Sequence, residues 1–166
     1  MELLFTIALS SIILTLTFPV YRDLILKLRL YILTERLTST LNYARSEAIR
    51  RQSVITICKS KNAKRCSGNW RDGWIVLSNK NSTTSLENGE LLQVYPALSD
   101  GEFLKWHGFR SDDYLQLRAE GSNGQNGSFI LCVHSFSKEM IALIRVSQTG
   151  RIRIDEKNNP KKACDN

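Results

Sequence analysis

Arg151 and Arg153 stand one residue apart directly after Gly150, in the run Ser147-Gln148-Thr149-Gly150-Arg151-Ile152-Arg153-Ile154. On a strand, two such guanidinium groups share one face about 6–7 Å apart, and Ile152 and Ile154 take the other. Guanidinium pairs bidentately with phosphate oxygens, so a nucleic-acid backbone is an anion this pair could hold. From spacing alone, a solvated strand face with inward isoleucines is the plainer reading. Gly150 permits the tight turn that would present the pair. Arg145 on the preceding strand, and Lys157, Lys161 and Lys162 beyond it, could extend the footprint. The loop Lys59–Arg65 is a second basic cluster. No aromatic ladder interleaves with these charges, so base stacking is not indicated. The expected contact is with the backbone, independent of base sequence.

The other candidate chemistry is sparser. Cys58, Cys66, Cys132 and Cys164 allow three disulfide pairings. Zinc is the rival, but there is no Cys-x-x-Cys pair, and His107 and His134 lie far from metal-ligand spacing. The favoured pairs are Cys58–Cys66, closing the basic loop, and Cys132–Cys164, tying down the tail. Neither histidine has a Ser, Cys or acid at a recognisable catalytic spacing, and both read as structural or exposed. Trp70 and Trp74 could form a stacking platform, but Gly73-Trp74-Ile75-Val76 has the pattern of a buried strand, which favours the core. An enzyme is not expected, nor a cofactor or metal.

Composition sets the frame. The 166 residues suit one domain of ordinary size with an anchor. Lys and Arg total 23 against 16 Asp and Glu, for a net charge of +7. That balance favours polyanions or anionic membranes as partners and is silent about fold. An even cysteine count behind a membrane or export segment points to an oxidising compartment.

The elements that must position these residues begin with a long helix. After Glu2 no charged residue occurs until Arg22, an apolar run about as long as one bilayer crossing. An acid precedes the run and Phe18-Pro19-Val20-Tyr21 is a poor cleavage site, so a retained segment is expected over residues 1–20 rather than a signal peptide. An acid in hydrocarbon needs a cation or stays protonated, so Glu2 calls for a partner. Pro19 is expected to kink the helix without ending it. Over residues 21–52, Leu26, Leu30, Leu33, Leu37, Leu41, Ala44 and Ala48 form one apolar stripe at helical spacing. From Ser53 the period changes to two. Strands are expected at Val54–Cys58, Gly73–Leu77, Leu91–Leu98, Glu102–Trp106, Tyr114–Arg118, Ser128–His134, Met140–Ser147 and Arg151–Ile154. A basic tail covers residues 157–166 behind the β domain of residues 53–156. The fold class is α+β: a long N-terminal transmembrane and amphipathic helix packed on an antiparallel β-sheet domain.

Glu2-Leu3-Leu4 resembles the start of the mature helix in the type IV pilin and pseudopilin superfamily, whose motif reads roughly Phe-Thr-Leu-Ile-Glu-Leu-Leu. Aligning Glu2 with the motif's glutamate places Pro19 on the family's helix-kinking proline. The basic leader, cleavage-site glycine and first mature residues of the family are absent, so the chain is expected to begin inside the precursor or at a misassigned start. The run Ala44-Arg45-Ser46-Glu47-Ala48-Ile49-Arg50-Arg51 and the segment Cys66 to Val76 are similar to the GspH/FimT branch of minor pilins. Gly150-Arg151-Ile152-Arg153 resembles the Gly-Arg-x-Arg motif of FimT-type minor pilins. The resemblance implies that Glu2 pairs with the N-terminal amine of a neighbouring pilin. It also implies residence in the inner membrane, with the C-terminal domain periplasmic, and then in a cell-surface pilus. For FimT-type members it implies DNA binding during natural transformation, and the backbone contact expected from the basic residues here is with duplex DNA. The alternatives are a GspH-like pseudopilin of type II secretion and a structural minor pilin for assembly, neither binding DNA.

Overall fold

A computed structural model of the protein describes residues 2–79, 89–120, 125–135 and 138–157. One helix, α1 (Glu2–Arg51), leads into eight strands. These are β1 (Val54–Lys59), β2 (Trp74–Asn79), β3 (Gly89–Tyr95), β4 (Glu102–Gly108), β5 (Tyr114–Leu117), β6 (Gly127–Ser135), β7 (Lys138–Val146) and β8 (Ile152–Lys157). A short 3-10 turn, Trp70–Asp72, precedes β2.

The stripe on α1 becomes the centre of the core. Leu26, Leu33, Leu37, Leu41, Ala44 and Ala48 are buried, and Leu30 packs at their edge. Leucine and alanine alike are buried against the strands, and the small Ala44 and Ala48 suit a close approach of helix and strand backbones. The helix continues through position 19, as expected of a proline that does not end it. Among the described residues, no helix is long and apolar enough to cross a membrane. Leu3, Leu4, Phe5 and Ile7 nevertheless stand exposed on the first turns.

The single antiparallel domain of the sequence reading is two sheets. One has the order β3-β2-β1-β5 and the other β4-β6-β7-β8. All pairings are antiparallel, and helix α1 packs against β1 of the first sheet and β6 and β7 of the second. The third strand stops at Tyr95, ahead of Pro96, since proline has no N–H for a ladder. The last strand begins at Ile152 and runs on to Lys157, past the expected end at Ile154.

Aromatic residues join the layers. Trp70 meets Phe129 of the second sheet edge-on at 5.4 Å, while Trp74 stacks at 5.1 Å on Tyr95, its cross-strand partner within the first sheet. Both tryptophans are buried, Trp74 on β2 and Trp70 on the 3-10 turn before it. Arg36 lies 4.6 Å over the Trp74 ring and donates to the Pro96 carbonyl at 2.7 Å. Burial pulls its pKa below the usual guanidinium value, against the opposing effect of Glu102 and then Tyr95.

Near the C-terminal end of α1, Glu47 sits where the helix dipole disfavours an acid. Its carboxylate accepts from Arg50 at 2.6 Å and Arg51 at 2.6 Å, and Arg51 also pairs with Glu90 of β3. Hydrogen bonds from Arg50 and then Arg51 hold the Glu47 pKa down at about 2. A folded-state value below that of a free glutamate stabilises the fold at pH above about 4.5, and the effect is lost as pH falls toward 2. The melting temperature is therefore expected to fall between pH 6 and pH 3, and Glu47→Gln is expected to flatten that fall. Equal pH slopes in the two proteins would refute the assignment.

Candidate functional site

The segment that carries the arginines is a tight turn between two strands. Gly150 N donates to Ser147 O at 2.9 Å, and Gly150 adopts φ 76°, a conformation glycine accepts without strain. Ser147 N in turn donates to the Arg151 carbonyl at 3.0 Å, and the Arg151 amide donates to Ser147 Oγ at 3.1 Å. The turn is thus locked at both ends, and the expected role of Gly150 is met by geometry.

Another arginine reaches this turn from the helix. Arg45 donates from its guanidinium to the Gly150 carbonyl at 3.1 Å. In the sequence Arg45 stands only within the run Ala44–Arg51, because nothing local connects it to a residue 105 positions away. Its position off the apolar stripe was the one available signal. Thr38, Asn42 and Arg45 of α1 face Thr149, Gly150, Arg151, Ile152 and Ile154 across an open groove of about 520 Å3.

The two motif arginines occupy different settings. Arg151 precedes β8 and lines the groove, so strand alternation begins only at Ile152. Arg153 lies within β8, directly opposite Arg145 of β7. Both are exposed, and among the described residues neither side chain makes an ion pair. Arg145 does, with Asp155 at 3.3 Å. Ile154, expected to face inward, is 44% exposed, because β8 is the edge strand and α1 leaves the groove open beside it. Lys157 ends β8, while Lys161, Lys162 and the side chains of Glu2 and Pro19 lie outside the described residues.

The Lys59–Arg65 cluster belongs to the other sheet. Cys58 and Cys66 are joined, closing that loop at the end of β1 as expected, and Lys59 pairs with Asp113 at 2.7 Å. Cys132 is also disulfide-bonded, and Cys164, its expected partner, lies outside the described residues. His107 is exposed with its Nδ1 3.8 Å from Asp112 Oδ1, and His134 stacks on Phe103 at 5.3 Å.

Comparison with known proteins places this geometry. The family model described as "Type II transport protein GspH" matches residues 33–150, well over half of the chain. No curated protein is a significant match to the sequence. Two crystal structures of the type IV minor pilin FimU from Pseudomonas aeruginosa share the fold at 21% identity. The first, in space group P21, has a TM-score of 0.59 and covers 84% of this chain and 94% of its own. The second, in P65, has a TM-score of 0.54 and covers 78% and 95% respectively.

Proposed function

The chain belongs to the GspH family, with the fold of type IV minor pilins, and from that premise we propose that it binds DNA along the phosphate backbone and contributes to DNA uptake in natural transformation. One observation carries this reading: Arg151 and Arg153 are exposed and without ion pairs among the described residues, with Arg153 set directly against Arg145. Like charges opposed across two strands are destabilising, a repulsion that the Arg145–Asp155 pair already reduces. A polyanion laid over them removes that repulsion and supplies bidentate partners. Gly150 shapes the turn and Arg45 grips its carbonyl, so Arg151 is held in place rather than left on a loose loop. Lys157, Lys161 and Lys162 extend the proposed footprint.

The same reading assigns the N-terminal half of α1 to assembly. Glu2 and Pro19 would serve an inner-membrane anchor that later enters a filament of other pilins, with the strands on the periplasmic side. The exposed Leu3, Leu4, Phe5 and Ile7 suit either apolar surrounding. A second reading, a structural pseudopilin or minor pilin without DNA contact, draws on the family match itself, which ends at Gly150 and leaves both arginines outside.

Titration of the full chain in detergent with labelled duplex DNA at two salt concentrations separates the two readings. Binding is expected to weaken with salt. Arg151→Gln with Arg153→Gln is expected to lower affinity by at least tenfold and the salt slope by about two, since each lost phosphate contact removes about 0.9. No binding by the wild-type chain at low salt would leave only the structural reading.

A further inference from the structure

The strand register continues from Arg153 across the whole second sheet. Arg153 of β8 faces Arg145 of β7, Arg145 faces Ser128 of β6, and Ser128 faces His107 of β4. The neighbouring row is Ile154, Ile144, Phe129 and Trp106, the last three of them buried in the core. Alternation therefore puts Arg153, Arg145, Ser128 and His107 on the side of the sheet away from α1. Two positions along, on the same side, Lys105 of β4 shares a row with Ile130, Leu143 and Asp155. Lys105, His107, Arg145 and Arg153 are all exposed. Three inter-strand steps of about 4.8 Å make the row roughly 14 Å long, enough to meet several phosphates of one duplex.

We infer that Lys105 and His107 form the far end of the DNA-binding surface, so that bound duplex crosses the sheet from β8 to β4 rather than resting on the 147–153 turn alone. This rests on the DNA-binding reading above. Among the described residues, the carboxylates nearest the row are Asp155, held by Arg145, and Asp112, beside His107, with the exposed Glu139 farther along the same face of β7. Lys105 has no ion pair among the described residues, which leaves its ammonium available to a phosphate. Asp155 occupies Arg145 and opposes a polyanion, so it restrains affinity at the centre of the surface.

The test uses the full chain in detergent micelles and a fluorescent 20-base-pair duplex, with affinity measured across a salt series. Lys105→Gln and His107→Gln are each expected to weaken binding several-fold. Lys105→Gln should also lower the salt slope by about one. Lys105→Arg should retain affinity. Asp155→Asn should tighten binding several-fold. Lys27→Gln removes the same charge from an exposed position roughly four helical turns below Asn42 and should change affinity less than twofold. Melting temperatures of the variants check that the fold is kept. If Lys105→Gln matches Lys27→Gln while Arg151→Gln with Arg153→Gln still abolishes binding, the extension is wrong and the DNA reading stands. If the wild-type chain binds no duplex at low salt, both fall together.

Discussion

Trp106→Ala is expected to destabilise the protein by about 4 kcal/mol, the range for removing a buried tryptophan from a packed core. The side chain is fully buried and lies 4.4 Å from the Phe129 ring. Its Nε1 donates to the Ser111 carbonyl at 2.8 Å, so truncation also orphans an acceptor. The indole fills a slot made by two glycines. A Cβ on Gly108 would come within 2.5 Å of Trp106 Nε1, and one on Gly127 within 2.4 Å of the ring. Such a close fit leaves little room for neighbours to collapse into the cavity, which keeps the cost high. For a chain of this size the melting temperature should fall by roughly 10 °C. Trp106→Phe should lose less, because the ring contacts persist and only the Ser111 bond is given up. A fall of under about 2 °C for Trp106→Ala would refute the packing account. The same slot anchors β4 beside His107, so under the proposed DNA-binding function duplex affinity is expected to fall along with stability.

Gly73→Ala should cost about 2–4 kcal/mol, although it adds a single methyl group. Gly73 has φ 110°, a backbone conformation that residues with a Cβ rarely adopt. An added Cβ would lie 2.4 Å from the Tyr95 carbonyl oxygen and 3.0 Å from the Pro96 carbonyl carbon. Both obstacles are backbone, so no side chain can swing aside. The Gly73 carbonyl also accepts from Ser60 N at 3.0 Å, tying it to the chain just beyond Cys58. Relief of the clash must therefore shift the end of β3 or the start of β2. Denaturant unfolding measures the loss, and a midpoint unchanged from wild type would show that the backbone yields there freely.

The helix was legible because its signal is local. Seven apolar residues at helical spacing have one geometric reading, and the stripe from Leu26 to Ala48 is the face that packs. The strands were legible for the same reason, with limits off by a few residues where pairing rather than pattern decides the end. Cys58 and Cys66 were readable as a pair because their short separation makes closure cheap. The likeness of Gly150-Arg151-Ile152-Arg153 to a known motif marks the candidate site from sequence.

Which strand lies beside which was not legible. Neighbours in the chain separate, β4 joining β6 while β5 joins β1, because pairing is settled by where each apolar face finds cover, not by its own alternation. The site inherits that dependence. Arg45 meets Gly150 across 105 residues, and His107 enters the row of Arg145 and Arg153 only through two intervening registers. Sequence by itself determined which residues carry charge and which faces are apolar, since those follow from residue type and period. Tertiary structure alone decided which charges share a surface, because that is set by strand order and register, properties of contacts between distant segments.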